Sequence, residues 1–183
     1  MSVQIALLRA VNVGGTGKLP MAELRKAVEK AGFGEVRTLL QSGNLVFEAG
    51  ARTPAASEKT LEALCAKTFG LTNEIYVRTP KEFEAIVAAN PFAKDAASDP
   101  AHVHVLFLRA PPSAAAYAAL AAAIKGREIV REGGRHAYML YPDGMGQSKL
   151  TPAVIARHLG LPGTARNWNT VTKLRAMAAL SPK

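Results

Sequence analysis

Two apolar runs constrain this chain most. Val3–Leu8 and Val103–Leu108 both read as strands, and both end in the same tripeptide, Leu8-Arg9-Ala10 and Leu108-Arg109-Ala110. In the first run Val3, Ile5 and Leu7 alternate with Gln4, Ala6 and Leu8, which predicts a strand buried on at least one face. The segments after the two runs are also alike. By hydrophobic period and turn residues, each half gives the order β-α-β-β-α-β with one further helix. A shared order of elements weighs more than short identities and points to an internal duplication. The expected fold is α+β: two ferredoxin-like halves, residues 1–95 and 96–183, each an antiparallel sheet with helices packed on one face.

In the first half Met21, Leu24, Val28 and Ala31 fall at helical spacing, stopped by Gly32 and Gly34. Residues 36–40 and 45–47 form a hairpin about the turn 41–44, where Gly43 and Asn44 tolerate positive φ. A helix over 58–69 closes at Gly70, residues 74–78 form the fourth strand, and Thr79-Pro80 open a helix that Asn90-Pro91 ends. The second half gives a helix over 113–124, a hairpin of 127–131 and 136–141 about Gly133-Gly134, and a helix from Thr151-Pro152 to Gly160. A short strand over 165–168 and a helix over 170–180 complete it. Phe69-Gly70-Leu71 recurs as Leu159-Gly160-Leu161, and Thr79 and Thr170 both stand where a strand hands over to a helix.

With 183 residues, 49% of them hydrophobic, the chain can bury a substantial core. The single cysteine excludes an internal disulfide framework, and Cys65 follows Leu61 and Leu64 at helical spacing, as a core filler does. No leader-like start and no apolar run of membrane length is present, so a soluble, cytoplasmic protein without a membrane partner is expected. The net charge of +9 is unevenly spread. Residues 1–90 hold 11 Lys/Arg against 9 Asp/Glu, or +2, whereas residues 91–183 hold 12 against 5, or +7. A polyanion should therefore meet the second half first.

Chain direction brings two polar loops to one edge of the first sheet. The loop after the first strand offers Arg9, Asn12, Gly14, Gly15, Thr16 and Lys18, and the hairpin turn offers Gln41, Ser42 and Asn44. Amides, a hydroxyl, two cations and exposed N–H groups beside a helix start suit a phosphate or carboxylate. The loop does not match a Walker phosphate loop, having Asn12 and Leu19 where glycine and Ser/Thr are needed, and G-x-G-x-x-G fails at Pro20. The competing reading is structural: Asn and Gly shape a tight turn while Gln41 and Ser42 satisfy backbone groups. A second candidate edge joins Ser148 and Lys149 with Arg166, Asn167, Trp168 and Asn169. Trp and Arg can stack on a base or sugar, but the favoured reading is structural: Trp168 docks the last helix on its sheet and Asn169 or Thr170 caps it. His102 and His104 share a strand face at a zinc-like spacing with no third ligand nearby, so no metal is expected, and no cofactor motif is present.

LLRAVNVGG, KLPMAELR, QSGNLVF, ANPF, HVHVLFL, YPDGMGQSKL and ARNWNTVTKL together resemble the bacterial DUF1697 family, a domain of unknown function. The motifs run from Leu7 to Leu174. The resemblance implies a pair of ferredoxin-like α+β halves and brings no established activity. The family's usual wording after the first strand, LLRGINVGG, differs here at Ala10 and Val11.

Three functions compete on these residues. The first is binding of an anionic ligand, a nucleotide, nucleic acid or phosphorylated or carboxylated metabolite, at the polar edges. The second is an enzyme acting on such a small metabolite, with Arg9, Lys18 and the Gly14-Gly15 amides on the anion. It lacks an evident acid or base. The third is an interaction module without chemistry, in which the polar loops only stabilise packing.

Overall fold

The computed structural model describes residues 2–13 and 18–180. It is α+β, with two four-stranded antiparallel sheets and, among the described residues, seven helices. The first sheet holds β1 (Val3–Leu8), β2 (Gly34–Leu39), β3 (Asn44–Glu48) and β4 (Ile75–Arg78), in the order β2-β3-β1-β4. The second holds β5 (Val103–Leu108), β6 (Ile129–Glu132), β7 (His136–Leu140) and β8 (Gly163–Asn167), in the order β6-β7-β5-β8. The helices are α1 (Met21–Lys30), α2 (Pro54–Phe69), α3 (Pro80–Ala88), α4 (Ala93–Ser98), α5 (Ala114–Ala123), α6 (Pro152–Leu159) and α7 (Trp168–Ala179). Two compact units emerge, Met1–Ala85 with Lys173–Lys183, and Ile86–Thr172. No helix among the described residues is long and apolar enough to cross a membrane.

In the first unit the two-residue period of the strands sorts side chains between faces. Ala6, Leu8, Leu45, Phe47, Ile75 and Val77 form one cluster with Leu24 and Val28 of α1 and Leu61 and Cys65 of α2. Each large side chain so buried contributes roughly 1.5–3 kcal/mol. The opposite face carries Ile5, Leu7, Val46 and Tyr76, all buried as well. On that second face, Arg37 of β2 donates to the Met177 carbonyl at 2.8 Å. Helix α2 begins at Pro54, ahead of the start expected at residue 58. Its cap is Thr53, whose side chain accepts from the Ala56 N–H, and Pro54 fits the first helical position, where no N–H is needed.

The outer strand β4 is sealed. The Arg9 N–H bonds the Glu74 carbonyl, which fixes the parity of the ladder and turns the Ile75 and Val77 N–H groups outward. Helix α2 meets them with carboxylates one turn apart. Glu62 accepts from Ile75 at 3.0 Å and Glu58 from Val77 at 2.9 Å. The buried Arg78 guanidinium lies 3.9 Å from Glu58 and donates to the Val77 carbonyl at 2.9 Å. An edge of this kind offers no free row for another strand.

The second unit is built alike. Leu106, Leu108, Ala137, Met139 and Tyr141 pack on Leu120 of α5 and on Ile155 and Leu159 of α6. Val105, Phe107 and Tyr138 point to the other face, where the Tyr138 hydroxyl donates to the Ile86 carbonyl at 2.8 Å. Three local features differ from the expected pattern. The short helix α4 comes after the Asn90-Pro91 stop, and a 3-10 turn spans Met145–Gln147. Helix α7 starts at Trp168, capped by Asn167, whose Oδ1 accepts from both the Thr170 N–H and its hydroxyl at 3.0 Å. Thr170 is thus inside the helix and not at its border.

Candidate functional site

The first polar edge forms where chain direction places it. The Leu8 N–H donates to the Gly43 carbonyl at 2.8 Å, which sets Arg9 and Asn12 beside Gln41, Ser42 and Asn44. Only glycine fits at position 43. Its φ is +77°, and a Cβ there would lie 2.5 Å from Val11 Cγ2 and 2.8 Å from Leu8 Cβ. Gly14, Gly15 and Thr16 lie outside the described residues, and the exposed Lys18 comes just after them.

The amides at this edge are spent on the backbone. Asn12 Nδ2 donates to the Gln41 carbonyl at 2.7 Å and the Leu19 carbonyl at 2.9 Å, while its Oδ1 accepts from the Leu19 N–H at 2.7 Å. The fully buried Asn44 donates to the Leu39 carbonyl at 2.8 Å and to Ser42 Oγ at 3.1 Å. Arg9 sits 3.9 Å from Glu74, whose carboxylate also accepts from the Tyr76 hydroxyl at 3.0 Å. Asn73 completes the clamp, donating to the Arg9 and Ala10 carbonyls at 2.7 and 3.1 Å. Sequence pattern alone does not single out Asn73, though an Asn just ahead of a strand is a turn signal. Three non-glycine residues here adopt the left-handed region, Ala10, Asn12 and Leu40, at φ of 51°, 53° and 59°.

At the second edge the ends of β7 and β8 share one end of the sheet, since Leu140 pairs with Val103 and Asn167 with His104. The side chains do not converge there as one surface. Arg166 is 7% exposed and donates to Thr164 Oγ1 at 2.7 Å and the Ala165 carbonyl at 2.9 Å; burial pushes its pKa down to about 10. Asn167 caps α7, Trp168 is half-buried as its first residue, and Asn169 is exposed.

Ser148 and Lys149 belong instead to a cleft of about 210 Å³ between residues 125–128 and 141–149. Pairing of Ile129 with Leu140 at the open end of the β6–β7 hairpin brings these two loops together. The cleft has both charges on its walls, Lys125 and Lys149 against Glu128 and Asp143. The carboxylates are already engaged. Ser148 Oγ donates to Glu128 and accepts from the Leu150 N–H at 2.9 Å. Arg127 grips Asp143 with two nitrogens, Nε at 3.0 Å, which lowers the Asp143 carboxyl and raises the guanidinium. Both lysines are exposed, and among the described residues neither has an ion-pair partner.

Tyr141, 1% exposed, stands at the base of the cleft, its phenol pushed up by burial and then by Glu128. The His104 ring meets it edge-on at 5.2 Å, and burial lowers that imidazole to about 4, so His104 is neutral near pH 7. A second depression of about 290 Å³ lies in the first unit between α2 and residues 72–74. Its carboxylates, Glu62 and Glu74, already serve Ile75 and the Arg9–Tyr76 pair. The neighbouring Cys65 is buried, its thiol raised to about 11 by burial and then by Glu62. Among the described residues no three of His, Cys, Asp and Glu are grouped to hold a metal ion.

These features define a two-unit α+β protein whose second unit carries a small, cation-rimmed cleft. The chain belongs to the family described as "Protein of unknown function (DUF1697)", whose model matches residues 1–138. Among solved structures it is similar to the conserved bacterial protein SP0830 from Streptococcus pneumoniae, with 23% identity, a TM-score of 0.73, and coverage of 97% of this chain and 98% of that one. This likeness is one of fold. No curated protein matches the chain.

Proposed function

We propose that this protein binds a small anionic ligand in the cleft of its second unit. The observation that carries this reading is the charge balance of the walls: Arg127 offsets Asp143, Glu128 is tied to the Ser148 hydroxyl and keeps its charge, and the two lysines, Lys125 and Lys149, outnumber it and remain open to a guest. The second unit, with nine Lys/Arg against five Asp/Glu over residues 86–172, favours the same sign of ligand. A volume near 210 Å³, below the roughly 300 Å³ at which drug-sized sites begin, suits a small metabolite. A single-stranded nucleic acid asks for exposed aromatic platforms, whereas Phe47, Tyr138 and Tyr141 are all buried and Trp168 is half-buried, with its neighbour Arg166 buried.

A thermal-shift panel of inorganic phosphate, small carboxylates and nucleotides at low salt tests the proposal. A ligand at a hundred times its Kd adds about 2.7 kcal/mol, or roughly 5 °C or more in Tm for a chain of this size. The shift should disappear in Lys125→Ala/Lys149→Ala and persist in Arg9→Ala. A panel without any stabilising anion, or a shift that survives the double substitution, contradicts it.

We also infer that the two sheets are ferredoxin-like copies of one ancestral unit. Five correspondences support this. The strand orders match when each half is counted from its own first strand. Leu8 and Leu108 each donate to a hairpin-turn carbonyl, Gly43 and Arg135. Thr53-Pro54 and Thr151-Pro152 open α2 and α6, and left-handed Gly70 and Gly160 close them. Arg78 and Arg166 are opposite Ile5 and Val105, at equivalent register, both buried, each with Nη1 on the preceding carbonyl. Cross-strand NMR contacts placing Val105 opposite any residue but Arg166 would remove the register equivalence.

A further inference from the structure

Equivalent edges of the two sheets are treated differently. In the first, α2 closes β4 with Glu58 and Glu62 on the Val77 and Ile75 N–H groups. In the second, the Leu108 N–H bonds the Arg135 carbonyl, so even-numbered residues of β5 face β7 and odd-numbered ones face β8. With Val105 opposite Arg166 and Phe107 opposite Thr164, the N–H groups of Gly163 and Ala165 point away from the sheet. They correspond in register to Ile75 and Val77.

No carboxylate reaches them. Helix α6, the counterpart of α2, reads Pro-Ala-Val-Ile-Ala-Arg-His-Leu and has no acidic residue. Among the described residues neither N–H has an acceptor, and both residues are half-buried, not sealed. The acceptor side of this edge is already used: the outward Ala165 carbonyl takes Arg166 Nη1 at 2.9 Å. The β8 edge therefore offers donors and few acceptors.

We propose that the β8 edge is a docking surface for a partner protein's helix carrying two glutamates one turn apart, set against Gly163 and Ala165 as α2 sets Glu62 and Glu58 against Ile75 and Val77. Carboxylates spaced i, i+4 on one helix face fit two outward N–H groups on alternate strand residues, and the first unit displays that fit. Charge points the same way, with Arg157 exposed on α6 and nine Lys/Arg against five Asp/Glu over residues 86–172, the unit that holds β8. An added β-strand fits less well, because strand pairing needs the Ala165 carbonyl that Arg166 occupies.

Backbone-amide NMR on the full chain tests this in two arms. Without partner, the Ile75 and Val77 amides should exchange slowly with solvent and those of Gly163 and Ala165 fast; equal protection at the two edges overturns the proposal. The second arm adds an alanine-based, end-capped helical peptide with glutamates at i and i+4, and its Gln/Gln counterpart, at low salt. Gly163 and Ala165 amide protons should move downfield and saturate with the first peptide only. Ala165→Pro, tolerable where the N–H faces outward, should weaken binding about tenfold, the loss of one charge-assisted hydrogen bond. Unmoved amides at millimolar peptide, equal response to both peptides, or response to an extended acidic peptide alone would overturn it.

Discussion

Asn12 donates to two carbonyls and accepts from one N–H, joining the loop after β1 to the hairpin turn and to the approach to α1. Asn12→Ala leaves those backbone groups unmet and should lower stability by about 2 kcal/mol, whereas Arg9→Ala removes a half-exposed ion pair and should cost under about 1 kcal/mol. Urea unfolding of the two variants separates them. Ala10 is held at φ 51° where the family's usual wording has glycine, so Ala10→Gly should gain about 1 kcal/mol in the same assay by relieving the left-handed strain. His104 sets a pH dependence. Its folded pKa of about 4 lies below the ordinary 6.5, so the unfolded chain takes the proton more readily. The contribution is complete above about pH 6.5 and is lost as the pH falls toward 4, by up to about 3 kcal/mol. Denaturant midpoints measured from pH 7 to pH 4.5 should fall less steeply in His104→Phe than in the parent.

At the level of elements, strands and most helices are readable because their periods are clean: Val3–Leu8 alternates, and Met21, Leu24 and Val28 stack on one helix face. Thr-Pro marks two helix starts, Thr79-Pro80 and Thr151-Pro152. The same dipeptide at Thr53-Pro54 is masked because Ala55, Ala56 and Ser57 supply no apolar period. Thr53→Ala and Thr151→Ala should each cost about 1 kcal/mol of stability, read in thermal unfolding, as loss of a cap does. The site is less legible. A sequence places Asn12 and Asn44 at a polar turn but does not say whether their amides face a ligand or the chain's own carbonyls. The cleft is within reach of pairing logic, since a hairpin that pairs Ile129 with Leu140 must bring residue 128 beside residue 141. No period reveals that Arg127 already offsets Asp143, which leaves the two lysines to outweigh Glu128 and decides the sign of charge the cleft presents.

For the molecule as a whole, the two units put their polar side chains to different uses. The first unit spends its polar side chains on its own turns and on sealing β4, while the second leaves lysines open beside a cleft. An anion should thus be taken up by one unit only. The direct test is an NMR titration of the full chain with inorganic phosphate at low ionic strength. Backbone amides of Gly126 and residues 144–149 should shift and saturate together, with residues 9–13 and 41–44 unmoved. Shifts centred on Arg9, Asn12 and Gln41, or no saturable shift at either place, would contradict a ligand site in the cleft.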